Sequence, residues 1–118
     1  MECIFYRTYR LIVLYLSFLF FNFPELEEIH NQVYAEAGDW LKSIDQVTRQ
    51  RIHTHYGLMP SPEENWIESA DGPAWTWWLL VILPLDTKAQ LTILSMNGLR
   101  KRLESMQKVL RYLKVKGF

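Results

Sequence analysis

The hydrophobic positions of this chain follow a helical period from residue 24 to near its end. Apolar side chains recur at intervals of three and four, the spacing that places them on one face of an α-helix. In the first such segment these positions are Leu26, Ile29, Val33, Ala37, Trp40, Leu41 and Ile44. Three glutamates follow Pro24 closely, and carboxylates stabilise the amino-terminal end of a helix, so the pattern predicts that this helix begins at Pro24.

A second helix is predicted from Ile44 to Tyr56. Ser43 or Asp45 is the expected N-cap, and Gly57 is the expected residue after the last turn. An alternative is one continuous helix with a kink near Ser43. The side that the second helix would bury consists of Ile44, Val47, Ile52 and Tyr56.

Residues 58–71 carry two prolines and several acids, which predicts a loop. The pair Trp66-Ile67 is apolar, and we expect it to dock on the core. Because Trp66 lies in a loop, it should matter less for stability than a tryptophan inside a buried helix.

Residues 71–85 contain three of the five tryptophans, followed by an unbroken aliphatic run. Pro73 suits the first position of a helix, where its missing N–H costs nothing, and Asp71 or Gly72 would be the cap. A helix that is apolar on nearly every face has to be surrounded by other elements. We therefore expect it to be the centre of a small helical domain.

This central helix should end at Ile82 or Leu83, because Pro84 cannot continue it. Trp77 and Trp78 are adjacent in sequence and lie about 100° apart on a helix. Both can be buried only if partners surround the helix, and we expect that they are. The facing stripe should be Leu99, Leu103, Met106 and Leu110.

The remaining chain predicts two more helices. Asp86 would cap a short one, and Ser95 or Asn97 would cap the last. The last helix has the clearest amphipathic stripe, formed by Leu99, Leu103, Met106, Leu110 and Leu113. Its other faces are basic and could contact nucleic acid, a membrane or an acidic partner. The simpler interpretation is a solvated face, and no nucleic acid partner is expected.

Composition suits one small domain. The 118 residues can form a single core, and 49% hydrophobic and 22% charged residues are ordinary values for a globular protein. The net charge is zero, but residues 24–71 carry −7 and residues 72–118 carry +6. The two halves should attract each other weakly. A single cysteine, Cys3, and no Asn-x-Ser/Thr site indicate a reducing compartment, which favours the cytoplasm.

Residues 1–23 differ from the rest of the chain. Arg7 and Arg10 precede the apolar run Leu11–Phe21, an order typical of a signal peptide. No small-residue cleavage site follows, and the run is shorter than the roughly 20 residues that a membrane-spanning helix needs. Two interpretations remain: an ordinary buried strand or helix or a chance apolar leader, on the one hand, and a membrane or secretory role on the other.

No motif for catalysis or metal binding is visible. His53 and His55 point to different sides of a helix, and with His30 they are interpreted as surface or capping histidines rather than zinc ligands. Glu63 and Glu64 should be solvated rather than an acid–base pair. Neither a Gly-x-Ser-x-Gly motif nor a phosphate-binding glycine loop occurs. We therefore assign no catalytic residue, no cofactor and no metal.

Several short motifs, in order, resemble the carboxyl-terminal part of the Lon-domain-and-RING-finger proteins. The first motifs are His30-Asn31-Gln32-Val33-Tyr34, Trp40, His55-Tyr56-Gly57-x-Met59-Pro60 and Glu63-Glu64-Asn65. The later ones are Gly72-Pro73-Ala74-Trp75-x-Trp77-Trp78-Leu79-Leu80, Leu83-Pro84-Leu85, Gln90-Leu91-x-Ile93-Leu94-Ser95-Met96 and Leu99-x-x-Arg102-Leu103. The resemblance covers roughly residues 24–113. The later motifs are more loosely similar to the substrate-recognition domain of bacterial Lon proteases.

The resemblance implies a β-rich, PUA-like barrel followed by a helical subdomain, of which only the helical part matches here. Full members of the family also carry tetratricopeptide repeats and RING fingers and are regarded as E3 ubiquitin ligases. This chain has no Cys/His zinc pattern, Walker A loop or Lon protease dyad, so it is expected not to be an enzyme. Residues 1–23 depart from the family, which suggests an alternative start, a partial gene model or a fragment.

Together these observations predict a mostly all-α protein, a small helical bundle with an apolar leader at residues 1–23 and a helical subdomain at residues 24–118. The expected function is a non-catalytic protein-binding, substrate-recognition module. The alternative is a small membrane-anchored protein held by Leu11–Phe21. The residues expected to matter for structure are Pro73, Trp75, Trp77, Trp78, Leu79, Leu83, Pro84, Leu103 and Leu110.

Overall fold

The computed structural model describes the backbone of residues 2–69 and 71–117, and within these ranges the side chains of Ile12 and of the residues after Phe23. Its helices are α1 (Glu2–Ser43), α2 (Gln46–Tyr56), α3 (Ala74–Ile82), α4 (Thr87–Leu94) and α5 (Leu99–Lys116), with a 3-10 turn at Trp66–Glu68. No strand occurs in these ranges, so the predicted mostly α-helical class is confirmed.

The first helix begins at Glu2, and Pro24 lies inside it. The predicted start at Pro24 is therefore wrong. A proline inside a helix removes one hydrogen bond and crowds the preceding turn, but the helix can continue past it. Apart from Ile12, the side chains of the run Leu11–Phe21 lie outside the described residues, so the structure does not decide between the two interpretations of that run. Within the described part of the chain, no helix has the length and apolar character needed to cross a membrane.

Helices α1 and α5 lie side by side and run in the same direction. Arg100 bonds to Glu25 at 2.8 Å, Gln107 to Gln32 at 3.4 Å, and Arg111 to Glu36 at 3.3 Å. Each pair is separated by 75 positions in sequence, so the two helices stay in register and end at the same side of the molecule. The predicted attraction between the acidic and basic parts of the chain is seen in the ion pairs Arg100–Glu25 and Arg111–Glu36. Because these pairs are exposed, each contributes little to the free energy of folding.

The core lies between this pair of helices and the shorter α3 and α4. Its members are Val33, Ala37, Trp40 and Leu41 from α1, Trp75, Leu79 and Leu80 from α3, Leu83, Ile93 from α4, and Leu103, Met106, Leu110 and Leu113 from α5. The amphipathic stripe predicted for the last helix is thus its buried face. Its main partner is α1 rather than α3. A nine-residue helix is only about 14 Å long, too short to face all of α5.

Capping residues in the sequence predicted the starts of two other helices correctly. Asp45 caps α2 and Asp86 caps α4, through bonds from the backbone N–H of Thr48 and Ala89. The expectation of Ser95 or Asn97 as cap of α5 is wrong, because Gly98 occupies that position without a side-chain bond. The expected buried side of α2 is also wrong: no residue of α2 is buried.

Candidate functional site

The structure places most of the motif residues in or beside the core. Trp75, Leu79 and Leu103 are fully buried, and Pro73, Leu83 and Leu110 are nearly so. Trp77 and Trp78 are half-buried, and Pro84 is exposed. Helix α3 begins at Ala74 with Pro73 as its N-cap, so the expected cap at Asp71 or Gly72 is wrong, whereas the helix ends at Ile82 as Pro84 predicts. These residues form a structural core and bring no reactive groups together.

The expectation that Trp77 and Trp78 are both buried is wrong. Each indole lies near the surface and donates its N–H to a backbone carbonyl, Trp77 to Asp71 at 2.9 Å and Trp78 to Tyr56 at 3.0 Å. The Arg102 guanidinium lies 4.7 Å from the centre of the Trp77 ring. Val81, on the same helix, is 53% exposed, so α3 is not enclosed on every side.

The rings of two tryptophans from different segments meet at His30 on α1. The Trp66 ring lies 3.9 Å from the His30 ring and almost parallel to it, at an interplanar angle of 7°. Trp75 approaches the edge of His30 and donates its indole N–H to His30 Nε2 at 3.0 Å. Tyr34 packs edge-on against Trp75. This aromatic cluster, defined as His30, Tyr34, Trp66 and Trp75, joins α1, the α2–α3 connection and α3.

His30 is only 1% exposed, so its interpretation as a surface or capping histidine is wrong. Because Nε2 accepts a bond from Trp75, the ring is neutral, with its proton on Nδ1 directed at Asn31 Oδ1 at 3.0 Å. Burial lowers the pKa of His30 below its ordinary value of 6.5, against the weaker opposing effects of Asn31, Glu27 and Glu63. Both ring nitrogens are thus committed to neighbours within the protein.

No arrangement for metal binding is found in the described residues: no three His, Cys, Asp or Glu side chains lie close enough together. His55 is exposed near the end of α2, and His53 lies on the same helix. His30 lies on α1, inside the aromatic cluster, with both nitrogens engaged.

An open groove of about 450 Å³ lies at the carboxyl-terminal ends of α1 and α5. We call it the α1–α5 groove. One wall carries Glu36, Asp39 and Trp40, and the other carries Leu110, Arg111 and Lys114. Trp40 and Leu110 are core residues, so the floor is apolar and the rim is charged. This volume is within the range of about 300–1,000 Å³ that is usual for ligand sites.

Two buried polar atoms of the α1–α5 groove have no hydrogen-bond partner among the described residues: Trp40 Nε1, a donor, and Glu36 Oε2, an acceptor. They lie four positions apart on α1 and hence on one face of the helix. Asp39 and Lys114 are exposed and form no salt bridge within the described part of the chain. Both atoms are buried out of reach of the groove, so what the groove itself offers is an apolar floor and one charge of each sign at its rim.

The burial of His30 has a signal in the sequence, although the groove has none. Position 30 belongs to the same helical face as Val33, Ala37 and Trp40, because the spacing from 30 to 33 and from 33 to 37 is three and four. A histidine at a core position of such a pattern is a candidate for burial. The groove could not be found in this way, because it depends on which residues of α5 lie beside α1.

No protein-family model matches the chain, and no solved structure matches it significantly.

Proposed function

We propose that this chain is a non-catalytic protein-binding module and that the α1–α5 groove is where it binds a peptide segment of a partner protein. The observation that carries the proposal is an apolar floor, formed by Trp40 and Leu110, between an acidic rim on α1 and a basic rim on α5. A peptide segment can place apolar side chains on such a floor and charged side chains against both rims.

The residue types of the groove suit such a role. Tryptophan and arginine are enriched among the residues that carry most of the energy of protein interfaces, and Trp40 and Arg111 face each other across this groove. Asp39 and Lys114 at the rim would select a segment with complementary charges. The resemblance to Lon-domain-and-RING-finger proteins supports the same function, because their Lon-type domain is expected to recognise substrates for ubiquitin ligation.

We further propose that the protein acts in the cytoplasm, as the single cysteine and the family resemblance favour. The alternative is attachment to a membrane through Leu11–Phe21. A sedimentation assay with vesicles of phosphatidylcholine and phosphatidylserine separates the two. We expect the chain to stay in the supernatant, and co-sedimentation that disappears when residues 1–23 are deleted would support the membrane alternative.

Selection from a displayed library of random peptides, followed by fluorescence anisotropy with the selected peptide, tests the binding proposal. Asp39→Lys reverses a charge on the α1 side of the rim and should weaken binding severalfold, the loss expected for an exposed charge pair of up to about 1 kcal/mol. Lys114→Glu reverses a charge at the rim without touching the core and should change both the affinity and its dependence on salt.

Lys101→Glu is the matched control, since Lys101 is an exposed base on the opposite side of α5 from its buried stripe. Binding by this variant should stay within about twofold of the wild type, as expected of a screened surface charge. Peptides that bind equally well to all three variants would place the site elsewhere. Failure to select any peptide that binds the folded chain would reject the proposed function.

A further inference from the structure

We propose that His30 is a pH-sensitive latch: protonation of its ring breaks its contacts with Trp66 and Trp75 and releases the middle of the α2–α3 connection from α1. The latch is independent of the peptide-binding proposal, because His30 lies ten residues before Trp40 on α1 and does not line the α1–α5 groove.

The hydrogen bond from Trp75 allows His30 only one protonation state. The indole nitrogen can donate but cannot accept, and its partner is His30 Nε2 at 3.0 Å. Adding a proton to Nε2 would set two N–H groups against each other at that distance. Rotation of the ring within the same space does not relieve this clash, because Nδ1 already lies 3.0 Å from Asn31 Oδ1 and is held there. A charged His30 must therefore leave this position.

The contact that would be lost with it is the stack on Trp66. The α2–α3 connection is held at three other points: Trp78 donates to Tyr56 O, the backbone N–H of Ala74 donates to Glu63 Oε1 at 3.3 Å, and Trp77 and Arg102 donate to Asp71 O. Its middle, the 3-10 turn at Trp66–Glu68, rests on His30 through the parallel rings. Movement of His30 thus frees the 3-10 turn while these three points stay attached.

The charges around His30 define the direction of the pH response. Glu27 on α1 and Glu63 on the connection favour the charged ring, α3 contains no titratable side chain, and Glu68 on the 3-10 turn is exposed. Burial outweighs these carboxylates and lowers the pKa of His30 from 6.5. Once the connection opens, water reaches the ring, and the same two carboxylates then stabilise its charge.

The open form binds the proton more strongly than the closed form, so opening increases as the pH falls below about 6.5. If the open form has the ordinary pKa and the closed form stays neutral, the opening equilibrium constant rises by up to about elevenfold at pH 5.5. At pH 7.5 the ring is mostly neutral in both forms, and the latch is closed.

Amide hydrogen exchange measured between pH 7.5 and 5.5 and corrected for intrinsic rates tests the latch in the whole chain. The amides of Trp66, Glu68 and Ser69, which donate within the turn, should lose protection by up to about tenfold between these two pH values. Amides of α5 should keep theirs. Unchanged protection of the turn, or an equal loss along α5, would overturn the proposal.

His30→Gln supplies an acceptor for Trp75 that does not titrate, so the turn should keep the same protection across this pH range. His55→Gln is the control, because His55 is an exposed histidine on α2, and this variant should respond like the wild type. A pH response that persists in His30→Gln would refute the latch.

An NMR titration of the wild type keeps the proposal falsifiable if His30→Gln does not fold. The His30 ring should titrate below pH 6.5, and the indole N–H resonance of Trp75 should shift with the same midpoint. A His30 ring that titrates at or above pH 6.5, or a Trp75 resonance that does not follow it, would exclude the mechanism.

Discussion

Among single residues, Trp75 differs from the other tryptophans of its motif because its whole side chain is buried and its N–H is paired with a buried partner. Trp77 and Trp78 keep one side toward water and bond to backbone carbonyls near the surface. Trp66, expected to contribute little, covers one face of His30. The contribution of each tryptophan to stability therefore depends on how deeply its side chain is buried and on which group its indole N–H bonds to.

Alanine substitutions of these tryptophans should separate the buried one from the half-buried ones. Trp75→Ala leaves a cavity and an unpaired His30 Nε2, and should lower the free energy of unfolding by about 3–5 kcal/mol. Trp78→Ala loses a part of that apolar contact and one bond to a carbonyl, and should cost about 1–3 kcal/mol. Urea denaturation followed by circular dichroism measures both values. If Trp78→Ala were the more destabilising of the two, the assignment of the structural centre to Trp75 would be wrong.

At the scale of elements, the structure is organised by the parallel pair α1 and α5, and α3 is attached to it at defined points. One of these is Gly72, whose φ of +78° lies in the region that glycine favours. A Cβ at Gly72 would come within 3.0 Å of Leu99 Cδ1 at the start of α5. A side chain at this position would be strained by the positive φ and would require the Leu99 side chain to shift.

Two glycine-to-alanine substitutions should change the free energy of unfolding in opposite directions. Gly72→Ala imposes a left-handed conformation on a residue with a Cβ and should lower the free energy of unfolding by about 1–2 kcal/mol. Gly38→Ala is the matched control inside α1, where an added Cβ meets nothing within 4 Å. It should raise stability by about 0.5–1 kcal/mol, because alanine loses less conformational freedom in a helix. Urea denaturation of both variants gives the comparison, and equal signs would contradict it.

For the whole molecule, the described core uses α1 only from Leu26 onward, although the helix begins at Glu2. The charged pairs between α1 and α5 likewise run from Glu25 to Glu36. The helical subdomain therefore has a set of contacts between α1 and α5 that does not involve residues 1–23.

Deletion of residues 1–23 should leave this subdomain folded. We expect the helical signal per residue to stay equal or rise, and the thermal midpoint to change by less than about 4 °C, equivalent to less than about 1 kcal/mol for a domain of this size. Leu103→Ala in the same shortened chain is the control, since loss of a fully buried leucine should cost about 2–5 kcal/mol. Collapse of the helical signal on deletion would show that the leader contributes to the core.

Much of the secondary structure follows from the sequence by itself, because its determinants are local. The spacing of leucines in α5, the aspartates that cap α2 and α4, and the proline that stops α3 all act within one or two turns. The same signals misplaced the start of α1, since the preceding residues also form helix and Pro24 does not end it. They also predicted a buried face for α2, which tertiary packing does not supply.

The tertiary structure alone decided which faces meet. The register of α1 against α5 brings Trp40 beside Leu110 and creates the groove, and no periodicity in either helix specifies that register. The contact between His30 and Trp75 joins residues 45 positions apart, and its bond exists only because the α2–α3 connection folds back over α1. Helical pattern is a property of neighbours in sequence, whereas burial and hydrogen-bond partners depend on neighbours in space.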